Sequence, residues 1–277
     1  MNVISTWTFR PWLDGHRGPW PNTESMLAVM KASMNCAARA YESVTVYTDE
    51  LSLPILTKLA PKINFEIKLN HAFDKIPTSY WAWSKIITYS LQTQPFLHFD
   101  LDFLFARPLK SSFFDCNVLI QWWEKPGNLG FYNLSEVYNL YKIPQQLATD
   151  QLDQIYSPNL GCFYINDLDF NRIYVETVFE LVDSNQDLLV SNPVTMCSLE
   201  QQVLGILLYK NTDIRVQTLL PKQSLIPITN DFIHFVGEIK DRTSLPEIQE
   251  LHERVLDTWI TDSVKQIAQD LDNQKTW

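Results

Sequence analysis

Between residues 2 and 105 the chain alternates between short strand-like runs and longer runs with helical spacing, and few architectures accept that order. "NVISTWTF" (2–9), "SVTVYTD" (43–49), "INFEIKL" (63–69) and the apolar stretch from residue 95 read as strands. "TESMLAVMKASMNCAARAY" (23–41), "SLPILTKLA" (52–60) and "PTSYWAWSKIITYSLQ" (77–92) carry helical periodicity, with Asn22 or Thr23 as the cap of the first. Strands that alternate with helices predict an α/β fold with a mainly parallel sheet covered on both faces. In such sheets ligands bind beyond the carboxyl ends of the strands. Later segments predict strands at 117–124, 159–166, 214–220 and 231–237, and helices at 170–184 and 198–211.

The stretch "PFLHFDLDFLFARPL" (95–109) holds an anomaly, because two acids one residue apart sit inside an apolar run. Burying a carboxylate without compensation costs several kcal/mol or forces it to take a proton. Side-chain alternation would put His98, Asp100 and Asp102 on one face of a strand, with the two carboxylates about 7 Å apart. A hard divalent cation, Mn²⁺ or Mg²⁺, would compensate them at a strand end. The plainer reading has the acids capping the next turn or pairing with Arg107.

Glycine is scarce, at seven residues, and neither GxGxxG nor GxxxxGK[ST] occurs, so a bound phosphate would be held by charge or metal. A net charge of −10 argues against nonspecific nucleic-acid binding and against docking on an anionic membrane. Cys36, Cys116, Cys162 and Cys197 are dispersed and form no CxxC, as expected for reduced core thiols of a cytoplasmic protein. No run approaches the roughly 20 apolar residues of a membrane span, and the N-terminus lacks the pattern of a signal peptide.

Two further pieces bear on the acids. "HFVGEIK" (234–240) spaces His234, Gly237 and Lys240 as H-x-x-G-x-x-K, offering a third metal ligand and a phosphate contact. "WSK" (83–85) puts Lys85 on the helix before the acids. Alone, His234 reads as a core histidine and Lys85 as a solvated surface lysine.

Taken in order, "WSK" (83–85), "DLD" (100–102), "NLG" (159–161), "EQQ" (200–202) and "HFVGEIK" (234–240) resemble the metal-dependent nucleotide-sugar glycosyltransferases of the GT-A fold. The likeness is to the glycogenin-like and galactosyltransferase branch, and it spans about residues 1–241. It implies a GT-A domain there, with a donor-binding half over about 1–110 and an acceptor half over about 111–241. A helical extension over 242–277 follows. It further implies that Asp100, Asp102 and His234 hold Mn²⁺ or Mg²⁺ and that Gly237 and Lys240 lie at the donor's diphosphate. Lys85 would reach the same phosphates or the acids. Asn159 and Gly161 would line the donor-sugar pocket, and Gln201 would stand near the anomeric carbon beside Glu200. Trp7, Thr8, Thr48 and Asp49 would lie under the base and ribose, although Asp49 also reads as a helix cap ahead of Ser52. The chain departs from the family's pattern with Lys85 where arginine is usual, "EQQ" for "DQD", and "DR" rather than "PW" after Lys240.

This chemistry needs negative charge stabilised on a leaving nucleoside diphosphate. An inverting enzyme also needs a base beside the acceptor hydroxyl, for which Glu200 is the residue indicated. Trp12, His16, Arg17 and Trp20 in one loop, with Trp122 and Trp123 later, predict stacking surfaces for a glycan or glycolipid acceptor, or else pins that fix loops to the core. Two other functions compete. A sugar-phosphate nucleotidyltransferase would act on a sugar phosphate and a nucleoside triphosphate, and a non-catalytic protein would bind a sugar nucleotide without turnover. From Pro246 onward, Ile248, Leu251, Val255, Trp259, Val264, Ile267 and Leu271 predict a helix docked on the core, or one that pairs copies of the chain.

Overall fold

The computed structural model describes residues 1–16, 20–126, 132–138, 140–191, 195–222, 229–235 and 261–273. Its strands are β1 (Asn2–Thr6), β2 (Val44–Thr48), β3 (Asn64–Ile67), β4 (Phe96–Phe99), β5 (Phe103–Phe105), β6 (Val118–Ile120), β7 (Trp123–Glu124), β8 (Ser157–Pro158), β9 (Cys162–Ile165), β10 (Val216–Thr218) and β11 (Phe232–His234). The helices are α1 (Arg10–Leu13), α2 (Thr23–Ala40), α3 (Leu53–Leu59), α4 (Trp83–Ser90), α5 (Leu134–Val137), α6 (Leu168–Asp183), α7 (Gln186–Ser191), α8 (Val203–Lys210) and α9 (Asp262–Asn273).

As the alternation predicts, the fold is α/β. A seven-stranded sheet has the order β10-β6-β9-β4-β1-β2-β3. β1, β2 and β3 pair in parallel, as do β10 and β6, whereas β6 and β9 are antiparallel. Every residue of β4 is buried, as is every residue of β9, which explains why, His98 apart, their sequences are apolar without alternation. Among the described residues no helix is long and apolar enough to cross a membrane.

The chain divides into two compact units. One comprises Met1–Asn2, Lys68–His98 and Lys110–Gln223. In it α4, α6 and α8 bury Ile86, Tyr89, Val178, Leu181, Leu204 and Ile206. Tyr174 Oη donates to the Glu200 carbonyl at 2.9 Å, and Tyr80 Oη donates to Leu189 O at 2.9 Å. Before α8 the helix widens to a π turn over Ser198–Gln202, all five residues of which are buried. Such bulges recur at functional sites.

The other unit comprises Val3–Ile67, Phe99–Leu109 and Ser224–Trp277. Its long helix α2 is capped by Asn22, whose side chain accepts from Ser25 N at 2.8 Å. On α2, Met26, Met30, Met34 and Ala37 are buried, and Ser33 Oγ donates to Phe103 O at 2.7 Å. Against α2 lies α9, with Val264, Ile267, Ala268 and Leu271 buried and Thr23 Oγ1 donating to Asp272 Oδ1 at 2.8 Å. The apolar side of this described part of the C-terminal helix is thus covered within its own unit, while 242–260 lie outside the described residues.

Two predicted strands are corrected. The stretch from residue 95 is not one strand. β4 stops at Phe99, Asp100–Asp102 form a turn in which Phe103 N donates to Asp100 O at 2.8 Å, and β5 then pairs antiparallel with β11 in a separate ribbon. His98 therefore shares no strand face with the two acids. It lies fully buried, its Nδ1 3.3 Å from Tyr89 Oη, and burial, with Lys85 adding to it, pushes its pKa well below the usual histidine value. The predicted strand over 117–124 likewise splits into β6 and β7.

Gly205 shows how closely α8 is packed. A Cβ added there would stand 2.5 Å from Tyr156 O and 3.3 Å from Pro158 Cδ. Because the nearer atom is backbone, it cannot swing aside. Gly205→Ala is expected to destabilise the chain by about 1–3 kcal/mol, outweighing the roughly 1 kcal/mol gained in helix propensity. Urea unfolding checks it, and a more stable variant would refute the close approach.

Candidate functional site

The turn after β4 carries the two acids. Leu101 is buried and anchors it in the core, while Asp100 and Asp102 on either side are half-buried. β11 brings the third residue: His234 stands opposite Phe103 in the ribbon, and Phe235 N donates to Asp102 O at 3.0 Å. The imidazole is buried against the Phe103 ring with centroids 5.5 Å apart, and its Nε2 lies 3.1 Å from Asp102 Oδ1. Asp100, Asp102 and His234 each offer one ligand atom, all within 4.8 Å of one another. Two carboxylates and an imidazole are a donor set suited to Mn²⁺ or Mg²⁺, so these residues fit the predicted ion. The competing partner for the acids, Arg107, instead pairs with Asp231.

In the same unit, the parallel strands β1 and β2 end together and gather Trp7, Thr8, Thr48 and Asp49, with Trp7 N donating to Tyr47 O at 3.0 Å. Asp49 caps the turn into α3 as its alternative reading predicts. Its Oδ1 accepts from Ser52 N at 2.7 Å, and its Oδ2 accepts from Thr8 Oγ1. Trp7 Nε1 and Thr48 Oγ1 are buried with no hydrogen-bond partner among the described residues, an arrangement that costs free energy unless a ligand satisfies it.

The other unit holds Lys85, Asn159, Gly161, Glu200 and Gln201. Lys85 is neither solvated nor at the surface. It is buried on α4 with Nζ 3.2 Å from Glu200 Oε1 of the π turn and 5.3 Å from the Trp81 ring centroid. Asn159 Nδ2 donates to Glu124 Oε1 at 2.8 Å, and its Oδ1 accepts from Gly161 N at 3.1 Å. Tyr132 Oη contacts both Glu124 Oε2, at 2.6 Å, and Gln201 Oε1, at 2.7 Å. Trp122 Nε1 donates to Glu124 Oε1 at 3.1 Å. Burial pushes the Cys197 thiol up to about 12, with Glu200 and Glu124 adding to it, which leaves this cysteine inert.

Of the tryptophans named for an acceptor, Trp20 and Trp123 are half-buried and the other two lie in the core. Trp12 and Trp122 are 3% and 1% exposed, so their faces are taken up by the core. Trp20 packs on Phe235 at 6.4 Å between centroids. Trp81, which the sequence reading did not single out, is 45% exposed. Glu124 and Tyr132 were also missed. The signal for Glu124 was present: it is an acid ending an apolar strand-like run, the same anomaly that marks Asp100 and Asp102. Arg17, Gly237 and Lys240 lie outside the described residues.

Residues 1–269 match a family described as "Family of unknown function (DUF6734)". The chain belongs to this family. No curated protein matches the sequence of this DUF6734 member. Similar solved structures include mouse xyloside xylosyltransferase 1 in its apo form, at 11% identity and a TM-score of 0.46, covering 79% of this chain and 84% of that one. Galactosyltransferase LgtC in complex with donor and acceptor sugar analogues is similar at 13% identity and a TM-score of 0.47, covering 98% and 96%. The bifunctional glycosyltransferase WbbM, in its apo structure, is similar at 10% identity and a TM-score of 0.42, covering 92% and 51%. No residue's role in the DUF6734 chain rests on these likenesses.

Proposed function

We propose that this DUF6734 protein is a cytoplasmic, metal-dependent glycosyltransferase that moves a sugar from a nucleotide-diphosphate sugar, a UDP-sugar before others, to a hydroxyl of a glycan or glycolipid. The observation that carries the reading is the convergence of Asp100, Asp102 and His234, whose ligand atoms lie within 4.8 Å of one another on a turn and a neighbouring strand. When bound there, a divalent ion supplies Lewis-acid stabilisation of charge on a diphosphate leaving group. The chain's own residues do the rest. Asp100, Asp102 and His234 hold the ion, and Lys240 adds a point charge to the phosphates. Trp7, Thr8, Thr48 and Asp49, at the carboxyl ends of two parallel strands, orient base and ribose. The buried Lys85–Glu200 pair, the Asn159–Gly161 turn and Gln201 form the sugar-side group, with Glu200 as the base if the course is inverting. Trp81 offers the exposed aromatic face on which a sugar ring stacks.

Calorimetric titration of UDP into the protein tests this, first with Mn²⁺ and then with EDTA. Binding that needs the metal is expected, followed by turnover of a UDP-sugar. If neither UDP nor GDP binds under either condition, the reading fails. Binding without turnover on any acceptor would instead favour a non-catalytic sugar-nucleotide binder.

A further inference from the structure

Around Glu124 the protons do not add up until one group is reoriented. Trp122 Nε1, which can only donate, and Asn159 Nδ2 both reach Glu124 Oε1, at 3.1 Å and 2.8 Å. Tyr132 Oη lies 2.6 Å from Glu124 Oε2 and 2.7 Å from Gln201 Oε1. A phenol has one proton, and here two acceptors claim it. Two N–H groups on Oε1 and an O–H on Oε2 satisfy an ionised carboxylate and leave it nothing to donate. The phenolic proton then belongs to Glu124, and the Tyr132 oxygen offers only a lone pair. The Gln201 terminus beside it must therefore be the NH₂, since the two ends of an amide are nearly interchangeable in shape.

We propose that Glu124, acting through Tyr132, is a positioning residue that sets the end-for-end orientation of the Gln201 amide, with NH₂ toward Tyr132 and the carbonyl oxygen facing away, and that the same carboxylate holds the Asn159–Gly161 turn. The consequence is electrostatic. A carbonyl oxygen beside a sugar carbon that gains positive charge stabilises it, whereas an NH₂ in its place repels it. Burial, with Glu124 beside it, raises the Tyr132 pKa well above that of an ordinary tyrosine, so its proton stays in place throughout the working range. Only one other proton arrangement is consistent with the distances: Glu124 protonated on Oε2 and Tyr132 donating to Gln201.

This inference rests on the glycosyltransferase reading, and one substitution separates the two proton arrangements. In Glu124→Gln the new NH₂ takes the place of Oε2 and donates to Tyr132, whose own proton turns to Gln201 and reverses that amide. With UDP-sugar as donor, kcat is expected to fall on the order of 100-fold, while the donor KM stays near that of the unaltered chain. Had Glu124 been protonated, the substitution would copy it and kcat would not change, which would overturn the proposal. If Glu124→Gln melts early, Tyr132→Phe carries the test: a fall in kcat at unchanged KM supports the proposal and an unchanged kcat overturns it. No turnover by the unaltered chain with any UDP- or GDP-sugar overturns the glycosyltransferase reading and this proposal together. Turnover that neither variant lowers overturns this one alone.

Discussion

Asp102→Asn is expected to abolish metal-dependent binding of UDP and to lower sugar transfer by about three orders of magnitude. The substitution keeps the shape of the side chain and an oxygen able to accept from His234 Nε2, which lies 3.1 Å from Asp102 Oδ1. The backbone contacts of the turn, Phe103 N to Asp100 O and Phe235 N to Asp102 O, do not involve the side chain and should persist. What is lost is one of the two negative charges that balance a divalent cation. The charge stabilisation a bound ion supplies amounts to several kcal/mol, and each 1.4 kcal/mol is about tenfold in rate. Calorimetry with UDP and Mn²⁺, a transfer assay and a melting curve check this together. A variant that folds normally and still binds UDP only with Mn²⁺ would remove Asp102 from the metal site. EDTA on the unaltered chain should reproduce the loss without any change of sequence.

The convergence of Asp100, Asp102 and His234 was legible because its chemistry is local in type even though its members are distant in sequence. Two acids in an apolar run demand compensation, and a histidine ending a later strand offers it. The strand break was not legible. Leu97, Phe99, Leu101, Phe103 and Phe105 alternate as a strand requires, yet Leu101 satisfies the same pattern by anchoring a turn, where it is 2% exposed. Side-chain periodicity records which residues point inward and is silent on whether the backbone between them keeps its direction. The roles of the tryptophans stayed open between sugar stacking and core pinning for a related reason. A tryptophan stacks on a sugar or fills a core with equal chemical ease, and only burial separates Trp12 and Trp122 from Trp81. Glu124, Tyr132 and Gln201 come from three separate segments, and no spacing rule joins them. Lys85 reads as a surface lysine or as a charge reaching the diphosphate or the acids, and its pairing with Glu200 was not legible because Glu200 lies on a π turn that helical periodicity does not foretell.

That ion pair supplies the second large effect. Lys85 and Glu200 are 6% and 0% exposed, with Nζ 3.2 Å from Oε1. Removing one member of a buried pair strands the other's charge in a poorly solvating interior and costs about 3–5 kcal/mol. Lys85→Met and Glu200→Gln should each destabilise the chain on that scale. The double variant, which buries no charge at the site, should regain most of the loss, because replacing a buried pair by neutral groups of similar volume is often nearly neutral. Urea unfolding of all four proteins closes the cycle, and additive effects would mean the two side chains do not depend on each other. The double variant then serves a second purpose. Its fold restored, it still lacks the Glu200 carboxylate, so sugar transfer measured on it separates a base from a structural partner. Transfer at the unaltered rate would leave Glu200 as the counter-ion that holds Lys85 under Trp81, and a folded but inactive protein would keep one or both groups in the chemistry. Restoring lysine alone, as Glu200→Gln at a temperature where that variant stays folded, decides which.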